Sequence, residues 1–330
     1  MVDYSPKRLL EFFRDGLVET EHSGFILKIS KAGEVFKLGE HGGYPFYLRS
    51  AAKPLQAALL VDFELDKEFS MSLEEVAICC SSHSGEVCHL ELVKKLLDKM
   101  GMNETYLKCG VDLPLSKLEQ KKLILNNEKQ TVLHNNCSGK HAMMLGLCKK
   151  MGWGLDDYFM PEHPLQLAMK DKIYELCEIN TEYPVTKDGC GVPICSMPLE
   201  NAIKGFLNVF LNPKYSKIKN AFIKYPYLIA GEKRLDTAIM SANPNLICKS
   251  GACGVHILVN LETEEGLAIK VLESDAQAQS LILIDALRQL GWLDSEMLEH
   301  KLIKDLNQKD ILTLHGEKVG EAKCCFISNI

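Results

Sequence analysis

The order of strand and helix patterns along the chain restricts the folds that are open to it. Residues 24–39 hold two short runs of alternating apolar residues around a turn at 31–33, which predicts a β-hairpin. Strand patterns return at 254–261 and 266–272, and a last short strand is expected near 322–328. Because strands at the two ends need partners, we expect them to meet in one antiparallel sheet.

The middle of the chain predicts helices joined by loops rich in Gly, Asn and Pro. Apolar residues recur at helical spacing at 72–80, 87–100, 139–152, 165–178, 197–211 and 214–229, and again at 274–291. We therefore predict an α/β (α+β) fold in a single domain over residues 1–330. Its sheet lobe comprises approximately residues 1–48 and 245–330, and a helical lobe of approximately 49–244 is inserted between them.

The composition excludes several classes of partner. Its 38 basic and 44 acidic side chains are mixed along the chain with a net charge of -6, so nucleic acid is not an expected partner. No apolar run approaches the roughly 20 residues that cross a bilayer, and the segment 1–7 has no apolar signal core. We expect no membrane partner and a cytoplasmic location, where most of the 13 cysteines remain free thiols.

A serine and a lysine three residues apart open the first helical pattern. Ser50 precedes Ala51-Ala52-Lys53, and the apolar residues that follow lie on one broad face. Residues i and i+3 share a face of a helix, so the amine of Lys53 can reach the hydroxyl of Ser50 and take its proton. The amine serves as a base only if burial or nearby cations lower its pKa toward neutrality. The alternative is a capping serine beside an exposed lysine.

A second basic motif, Lys-Ser-Gly at 249–251, precedes the strand pattern at 254–261. Serine β-lactamases and penicillin-binding proteins combine Ser-x-x-Lys with a later Lys-Thr-Gly motif, in the same order. Serine in place of threonine retains the hydroxyl. The middle Ser-x-Asn motif of those enzymes has no good match, because the Ser-His-Ser at 82–84 lacks the asparagine. This difference argues against a true β-lactamase or peptidase.

Three segments are more polar and richer in glycine than packing alone requires. They lie at 79–86, 134–141 and 188–193, and the second opens an apolar helical pattern. Backbone N–H groups at the start of a helix can hold a carboxylate or a developing oxyanion. These loops are therefore candidates for a substrate site.

Two of these loops carry thiols that could bind a metal. Cys137 and Lys140 are three residues apart, and Cys190 lies in a distant turn. Two thiolates and a third donor can hold Zn²⁺, although a lysine ligand must first lose its proton. The common Cys-x-x-Cys and His-Glu-x-x-His patterns are absent from the sequence. The alternative is that both cysteines are partly buried turn residues.

Five segments together resemble the rhizobial-type L-asparaginase family, also called asparaginase II. They are Arg-Ser-Ala-Ala-Lys-Pro-Leu-Gln at 49–56, Ser-Ser-His-Ser-Gly-Glu at 81–86, His-Asn-Asn-Cys-Ser-Gly-Lys-His at 134–141, Asp-Gly-Cys-Gly-Val-Pro at 188–193 and Lys-Ser-Gly-Ala-Cys-Gly-Val at 249–255. They occur in the family's order, and the resemblance spans about residues 24–330. Ser250 and Cys253 depart from the family's pattern, in which glycine and often an acidic residue are expected.

The resemblance implies a serine-β-lactamase-like fold and an amidohydrolase that converts L-asparagine to L-aspartate and ammonia by serine–lysine chemistry. It also implies a zinc site beside the substrate and a homodimer. The residues that it assigns are the pairs Ser50–Lys53 and Ser82–Lys249 for catalysis, Arg49, His141 and Asp188 for the substrate, and Cys137, Lys140 and Cys190 for zinc.

Other functions stay open on the sequence alone. A glutaminase or a β-lactamase-like amidase or peptidase would use the same fold, and glutamine differs from asparagine by one methylene, which a pocket distinguishes by roughly 1–3 kcal/mol. A non-catalytic protein that binds zinc or an amino acid would show no turnover. A redox sensor would need a low-pKa thiol beside a resolving cysteine, and the pairs Cys79-Cys80 and Cys324-Cys325 are adjacent, which alone is weak evidence.

Overall fold

The computed structural model describes residues 4–326. The strands are β1 (Lys7–Arg14), β2 (Leu17–Ile29), β3 (Val35–Leu38), β4 (Phe46–Tyr47), β5 (Val185–Lys187), β6 (Pro193–Met197), β7 (Leu246–Gly251), β8 (Val255–Asn260), β9 (Glu265–Val271), β10 (Asp310–Leu312) and β11 (Lys318–Cys324). The helices before the small strand β5 are α1 (Lys53–Asp62), α2 (Leu65–Glu68), α3 (Leu73–Cys80), α4 (Val87–Lys99), α5 (Lys117–Leu125), α6 (Ser138–Met151) and α7 (Pro164–Leu176). The later helices are α8 (Leu199–Phe210), α9 (Ser216–Lys224), α10 (Pro226–Ile229), α11 (Leu235–Ala242), α12 (Ala276–Gln289), α13 (Ser295–Leu298) and α14 (Lys301–Leu306).

The large sheet joins both ends of the chain. Its strands follow the order β10-β11-β1-β2-β9-β8-β7, and β3 pairs with the second half of β2. The pairings in this sheet are antiparallel. Helices α1 to α11 lie between β4 and β7 in the chain, together with two strands of a small sheet of order β4-β6-β5. The predicted architecture, one antiparallel sheet from the two ends with a helical insertion, is confirmed.

Most predicted elements are present, and the differences have local causes. The hairpin expected at 24–39 is β2 and β3, but β2 begins at Leu17 because its first half pairs with β1. The helix expected over 214–229 is divided into α9 and α10 at Pro226, whose ring does not fit within a continuous helix. The strand expected near 322–328 is β11, and positions 327 and 328 lie outside the described residues.

Helix α1 lies within the protein core and begins at the predicted catalytic lysine. Its first eight residues are buried, and it packs against α3, α7 and α8. A helix that is buried on every side is expected to be apolar on every face, so the buried Lys53 is an exception that needs a function. Within residues 4–326, none of the helices combines the length and apolar character needed to span a bilayer.

Candidate active site

Ser50 lies in a 3-10 turn immediately before α1. The turn spans Arg49–Ala52, and Pro54 in the first turn of α1 favours the start of the helix there. Ser50 is half-buried, whereas Ala51 and Ala52 are buried, and the turn contacts β7 and β8. Arg49 has a φ of 51°, which is strained for a residue with a side chain.

Strand β7 packs directly on this turn through Gly251. A Cβ atom at Gly251 would lie 2.2 Å from the carbonyl oxygen of Leu48 and 3.2 Å from the backbone nitrogen of Ala51. The first distance is far inside van der Waals contact, so only glycine lets the strand approach this closely. Lys249 lies two residues earlier on β7 and therefore shares a face of the strand with Gly251. The glycine thus brings Lys249 next to the turn that carries Ser50.

Ser82 lies between two buried lysines. Its Oγ atom is 3.0 Å from Nζ of Lys53 and 3.1 Å from Nζ of Lys249. Lys53 also donates to two backbone carbonyl oxygens, at 2.6 and 3.2 Å. In the described part of the chain, the hydrogen bonds of Lys53 do not include the hydroxyl of Ser50. In the structure Lys53 therefore binds Ser82, whereas the three-residue spacing in the sequence predicted a contact with Ser50.

Burial lowers the pKa of both lysines, because it disfavours the charged ammonium. For Lys53, the Cys137 thiolate acts in the opposite direction, and the Lys140 ammonium lowers the pKa further. For Lys249, burial outweighs the opposing Asp236 carboxylate, and the pKa falls to about 8. An amine with a pKa near 8 can both accept and donate a proton close to neutral pH.

Hydrogen bonds of His83 and of the Ser82 backbone hold the loop that carries Ser82 in place. His83 accepts the N–H of Gly85 at Nδ1 (3.1 Å), so its proton lies on Nε2 and is donated to Oγ of Ser138 (2.9 Å). The N–H of Ser82 itself donates to the carbonyl oxygen of Ile229 at 2.9 Å. These bonds tie the loop to the first residue of α6 on one side and to the end of α10 on the other.

Cys137, Lys140 and Cys190 form a buried cluster. Their exposed fractions are 4%, 2% and 5%, and Nζ of Lys140 lies 3.1 Å from Sγ of Cys190. The neighbouring Cys190 thiol, together with Lys53 and Lys140, lowers the pKa of Cys137 against the effect of burial. Two sulfurs and an amine that meet in this way, with one sulfur readily ionised, are a donor set suited to Zn²⁺. The residues predicted for zinc therefore fit that metal.

Two of the predicted substrate residues are paired beside this cluster. Nε of Arg49 donates to Oδ1 of Asp188 at 2.6 Å. Burial would raise the pKa of Asp188, but Lys140, the N–H of Gly189 and Arg49 lower it below its usual range. The carboxylate is therefore ionised, and the site presents a positive and a negative group side by side.

The third predicted substrate residue, His141, is buried with one ring nitrogen unpaired. Its Nδ1 atom lies 2.7 Å from the hydroxyl oxygen of Tyr158, which also accepts the N–H of Lys108 at 2.9 Å. If the phenol donates its single hydrogen to Nδ1, the ring proton lies on Nε2. Burial lowers the pKa of His141 and keeps the ring neutral. Nε2 has no hydrogen-bond partner among residues 4–326, which suits it to a substrate oxygen.

A family model describes this chain over nearly its whole length. The model of L-asparaginase II matches residues 10–324. The chain belongs to the L-asparaginase II family. Membership of this family indicates an asparaginase-type amidohydrolase. The serines, lysines and thiols described above form its candidate active site.

One solved structure shows a weaker similarity to this L-asparaginase II family member. It is a crystal structure of a protein from Bacteroides dorei that carries a provisional beta-lactamase name. The two chains share 13% sequence identity with a TM-score of 0.42, and the similar region covers 77% of this chain and 86% of the other. No curated protein is significantly similar to this chain.

The sequence motifs do not indicate two residues of this asparaginase-family site. Asp236 on α11 lies 3.5 Å from Nζ of Lys249, and Tyr158 contacts His141. Each is a single polar residue outside the five family-like segments, and neither has a partner at a regular spacing. No local signal could have identified them.

A second group of potential metal ligands is less suitable. Glu86, Cys88 and His89 offer ligand atoms that lie within 4.8 Å of one another. The Glu86 carboxylate, however, already accepts the hydroxyl of Tyr227 and the N–H of Glu232. These bonds account for the position of Glu86 at the start of α4 without a metal.

The adjacent cysteine pairs do not support a redox sensor. Cys79 and Cys80 are fully buried, and burial raises the pKa of both thiols, that of Cys80 to about 12. Burial also raises the pKa of Cys324 to about 12 and that of Cys325 to about 11. The thiolate is the reactive form of cysteine, so these thiols are poorly reactive near neutral pH.

Proposed function

We propose that this protein hydrolyses the side-chain amide of L-asparagine to L-aspartate and ammonia. The observation that carries the proposal is the position of Ser82 between the amines of Lys53 and Lys249, with all three side chains buried. Two amines on one hydroxyl form a path along which a proton can move between a nucleophile and a leaving group. Membership of the L-asparaginase II family supports an amide as the substrate.

Ser50 is the proposed nucleophile. It is half-buried and so more exposed than Ser82, which is 5% exposed and is held by two lysines. Lys53 takes the hydroxyl proton, directly or through Ser82, as Oγ of Ser50 bonds to the amide carbon. The C–N bond then breaks, the proton passes through Ser82 and Lys249 to the departing ammonia, and an aspartyl ester remains on Ser50. Water hydrolyses this ester, returns a proton to Ser50 and releases L-aspartate.

The paired charges of Arg49 and Asp188 suit the head group of an α-amino acid. A free amino acid carries a carboxylate and an ammonium on the same carbon, and Arg49 and Asp188 offer the complementary charges 2.6 Å apart. Arg49 is proposed to bind the carboxylate through two hydrogen bonds, and Asp188 to bind the ammonium. The unpaired Nε2–H of His141 is the proposed donor to a further oxygen of the substrate.

Zinc is proposed as the metal held by Cys137, Lys140 and Cys190. When bound, it would supply a positive charge that helps to orient the polar groups of the substrate. Lys140 would have to release its proton on binding, because only the neutral amine is a ligand. The proton transfers themselves belong to the serines and lysines.

The purified protein is expected to contain one zinc ion per chain. Cys190→Ser should weaken zinc binding by at least about tenfold, because even the loss of a residue that only supports a ligand costs 10–100-fold. Cys195→Ser is the matched control, since Cys195 is also buried but lies on β6 outside the cluster. Metal content measured by plasma mass spectrometry checks both variants. Equal zinc in the two variants would remove Cys190 from the metal site.

The test of the proposed function is ammonia release from L-asparagine by the purified protein, with L-glutamine and a chromogenic β-lactam in parallel. We expect kcat/KM for asparagine to exceed that for glutamine by about 10–200-fold, the effect of one methylene in a fitted pocket. The β-lactam should not be hydrolysed. Faster release from glutamine would make the protein a glutaminase, and asparagine that binds without turnover would make it a binding protein.

Assembly and location rest on the sequence alone. The homodimer, the cytoplasmic location and the division of one catalytic domain into a sheet lobe and a helical lobe stay predictions. Sedimentation of the purified protein would measure directly whether it is a homodimer.

A further inference from the structure

A buried carboxylate lies next to Lys249. Asp236, on α11, is 2% exposed, and its Oδ2 atom is 3.5 Å from Nζ of Lys249. Its carboxylate also accepts the N–H and the hydroxyl of Ser250. Burial would raise the pKa of Asp236, but Lys249 and these bonds lower it, so the carboxylate is ionised. The amine of Lys249 therefore contacts a fixed anion as well as the hydroxyl of Ser82.

A histidine fixes the direction of these hydrogen bonds. Ser250 has one hydroxyl hydrogen, which it donates to Asp236, because an ionised carboxylate can only accept. Nδ1 of His256 lies 2.8 Å from the same hydroxyl oxygen, so Nδ1 must carry a proton and donate it to Ser250. Burial lowers the pKa of His256 and keeps it neutral, so Nε2 carries no proton and can only accept. Oε1 of Gln279 lies 3.1 Å from Nε2, so this contact is a hydrogen bond only with the Gln279 amide turned to present its NH2 group. The chain of donors from β8 thus ends at Asp236.

We propose that Asp236 is a positioning residue for Lys249, held in its charged and oriented form by Ser250 and His256. It keeps the amine of Lys249 directed at Ser82 and stabilises the ammonium whenever Lys249 holds a proton. This role rests on the proposed function, because it matters to catalysis only if Lys249 moves protons during amide hydrolysis. Ser250 also gains a role here, as the side chain that connects Asp236 to His256.

The charges around Lys249 determine in which direction its pKa should move when Asp236 is replaced. The charged and titratable groups that face this network are Lys53, Cys80, Arg234, Asp236, Cys248, His256 and Lys270. Burial lowers the pKa of Lys249 most, and Lys53 and Arg234 lower it further, while Asp236 raises it. The two thiols are uncharged, because burial raises the pKa of each. Replacing Asp236 with asparagine removes the anion that raises the pKa of Lys249, so this pKa is expected to fall.

The titration of Lys249 is to be measured directly, by NMR of protein labelled with ¹³C at the lysine Cε atoms. Lys249 is expected to titrate near pH 8 in the parent protein. In Asp236→Asn it should titrate at least about one pH unit lower, since each unit corresponds to about 1.4 kcal/mol of lost stabilisation of the ammonium. A folded Asp236→Asn variant in which Lys249 titrates at the parent's pH overturns the proposal.

The matched control is Asp66→Asn. Asp66 is another buried aspartate, 8% exposed, but its partner is Lys217 on α9, at 2.9 Å. This variant should leave the titration of Lys249 unchanged. A shift equal to that of Asp236→Asn would mean that any lost buried carboxylate moves the lysine, and it would also overturn the proposal.

A second measurement is made on the parent protein and uses a variant only to assign the signal. ¹⁵N NMR of the parent protein distinguishes the two neutral forms of His256, and the signal is assigned by its loss in His256→Gln. The proposal requires the proton on Nδ1, and a proton on Nε2 overturns it. Both NMR measurements are made without substrate, so their outcome does not depend on turnover. If the protein released no ammonia from asparagine, the proposed function would be refuted. The NMR results would still decide whether Asp236 positions Lys249.

Discussion

Replacing Ser50 with alanine is expected to reduce kcat for ammonia release from L-asparagine by roughly 10³-fold or more. The variant keeps the two lysines and Ser82 but has no oxygen that can form the aspartyl ester. KM should change little, because the contacts proposed for the head group come from Arg49 and Asp188. Steady-state ammonia release measures both constants, and mass spectrometry of the quenched parent protein tests for the ester on Ser50.

Two further serine variants control this experiment. Ser216→Ala should keep the kcat of the parent, because Ser216 also begins a helix but is exposed. Ser82→Ala should lower kcat by about 10²–10⁴-fold through the broken proton path, and the ester should still form slowly on Ser50. If Ser50→Ala retained full activity and Ser82→Ala had none, Ser82 would be the nucleophile.

The sheet was predictable where short runs of mostly apolar residues flank a turn. The strands β2 and β3, and the almost fully buried β8 and β9, lie in such runs, and each was expected close to where it lies. Strand β1 was missed, because Leu9 and Leu10 are adjacent and both buried, where its register against β2 shifts between Arg8 and Leu10. Such an irregularity turns two successive side chains to the same side, so a search for strict alternation misses the strand.

Helix α5 was missed for a different reason. None of its residues is buried, so it has no apolar stripe for a helical period to reveal. Helix α11 is short, and Asp236 interrupts its apolar residues on the buried side. The helical signal is strongest where a long helix buries one face, and these two segments lack that condition.

The site was predictable only as far as its residues belong to short motifs. The motifs paired Lys53 with Ser50 and Lys249 with Ser82, whereas both lysines contact Ser82 in the structure. That depends on the fold, which brings Lys53 to a serine 29 residues away rather than to the one three residues away. Asp236 lies 13 residues before Lys249 and on a different element, so its contact with that lysine exists only in three dimensions.

Gly251→Ala is expected to lower both the stability of the protein and its kcat. The added methyl group would lie 2.2 Å from the carbonyl oxygen of Leu48, so β7 and the turn that carries Ser50 must move apart. Overpacking of this kind costs about 1–3 kcal/mol in the free energy of unfolding. A displacement of about 1 Å between catalytic groups can lower kcat by about 10²-fold. Denaturant unfolding and ammonia release measure the two effects separately.

Gly320→Ala separates the loss of stability from the loss of activity. A Cβ atom there would lie 2.1 Å from the carbonyl oxygen of Phe13, so a similar loss of stability is expected. Gly320 lies on β11, five strands from β7, which is about 24 Å at the usual spacing between strands. Its kcat should therefore equal that of the parent. If Gly251→Ala also kept the parent's kcat while losing stability, the contact of β7 with the Ser50 turn would support the fold without setting the position of Lys249.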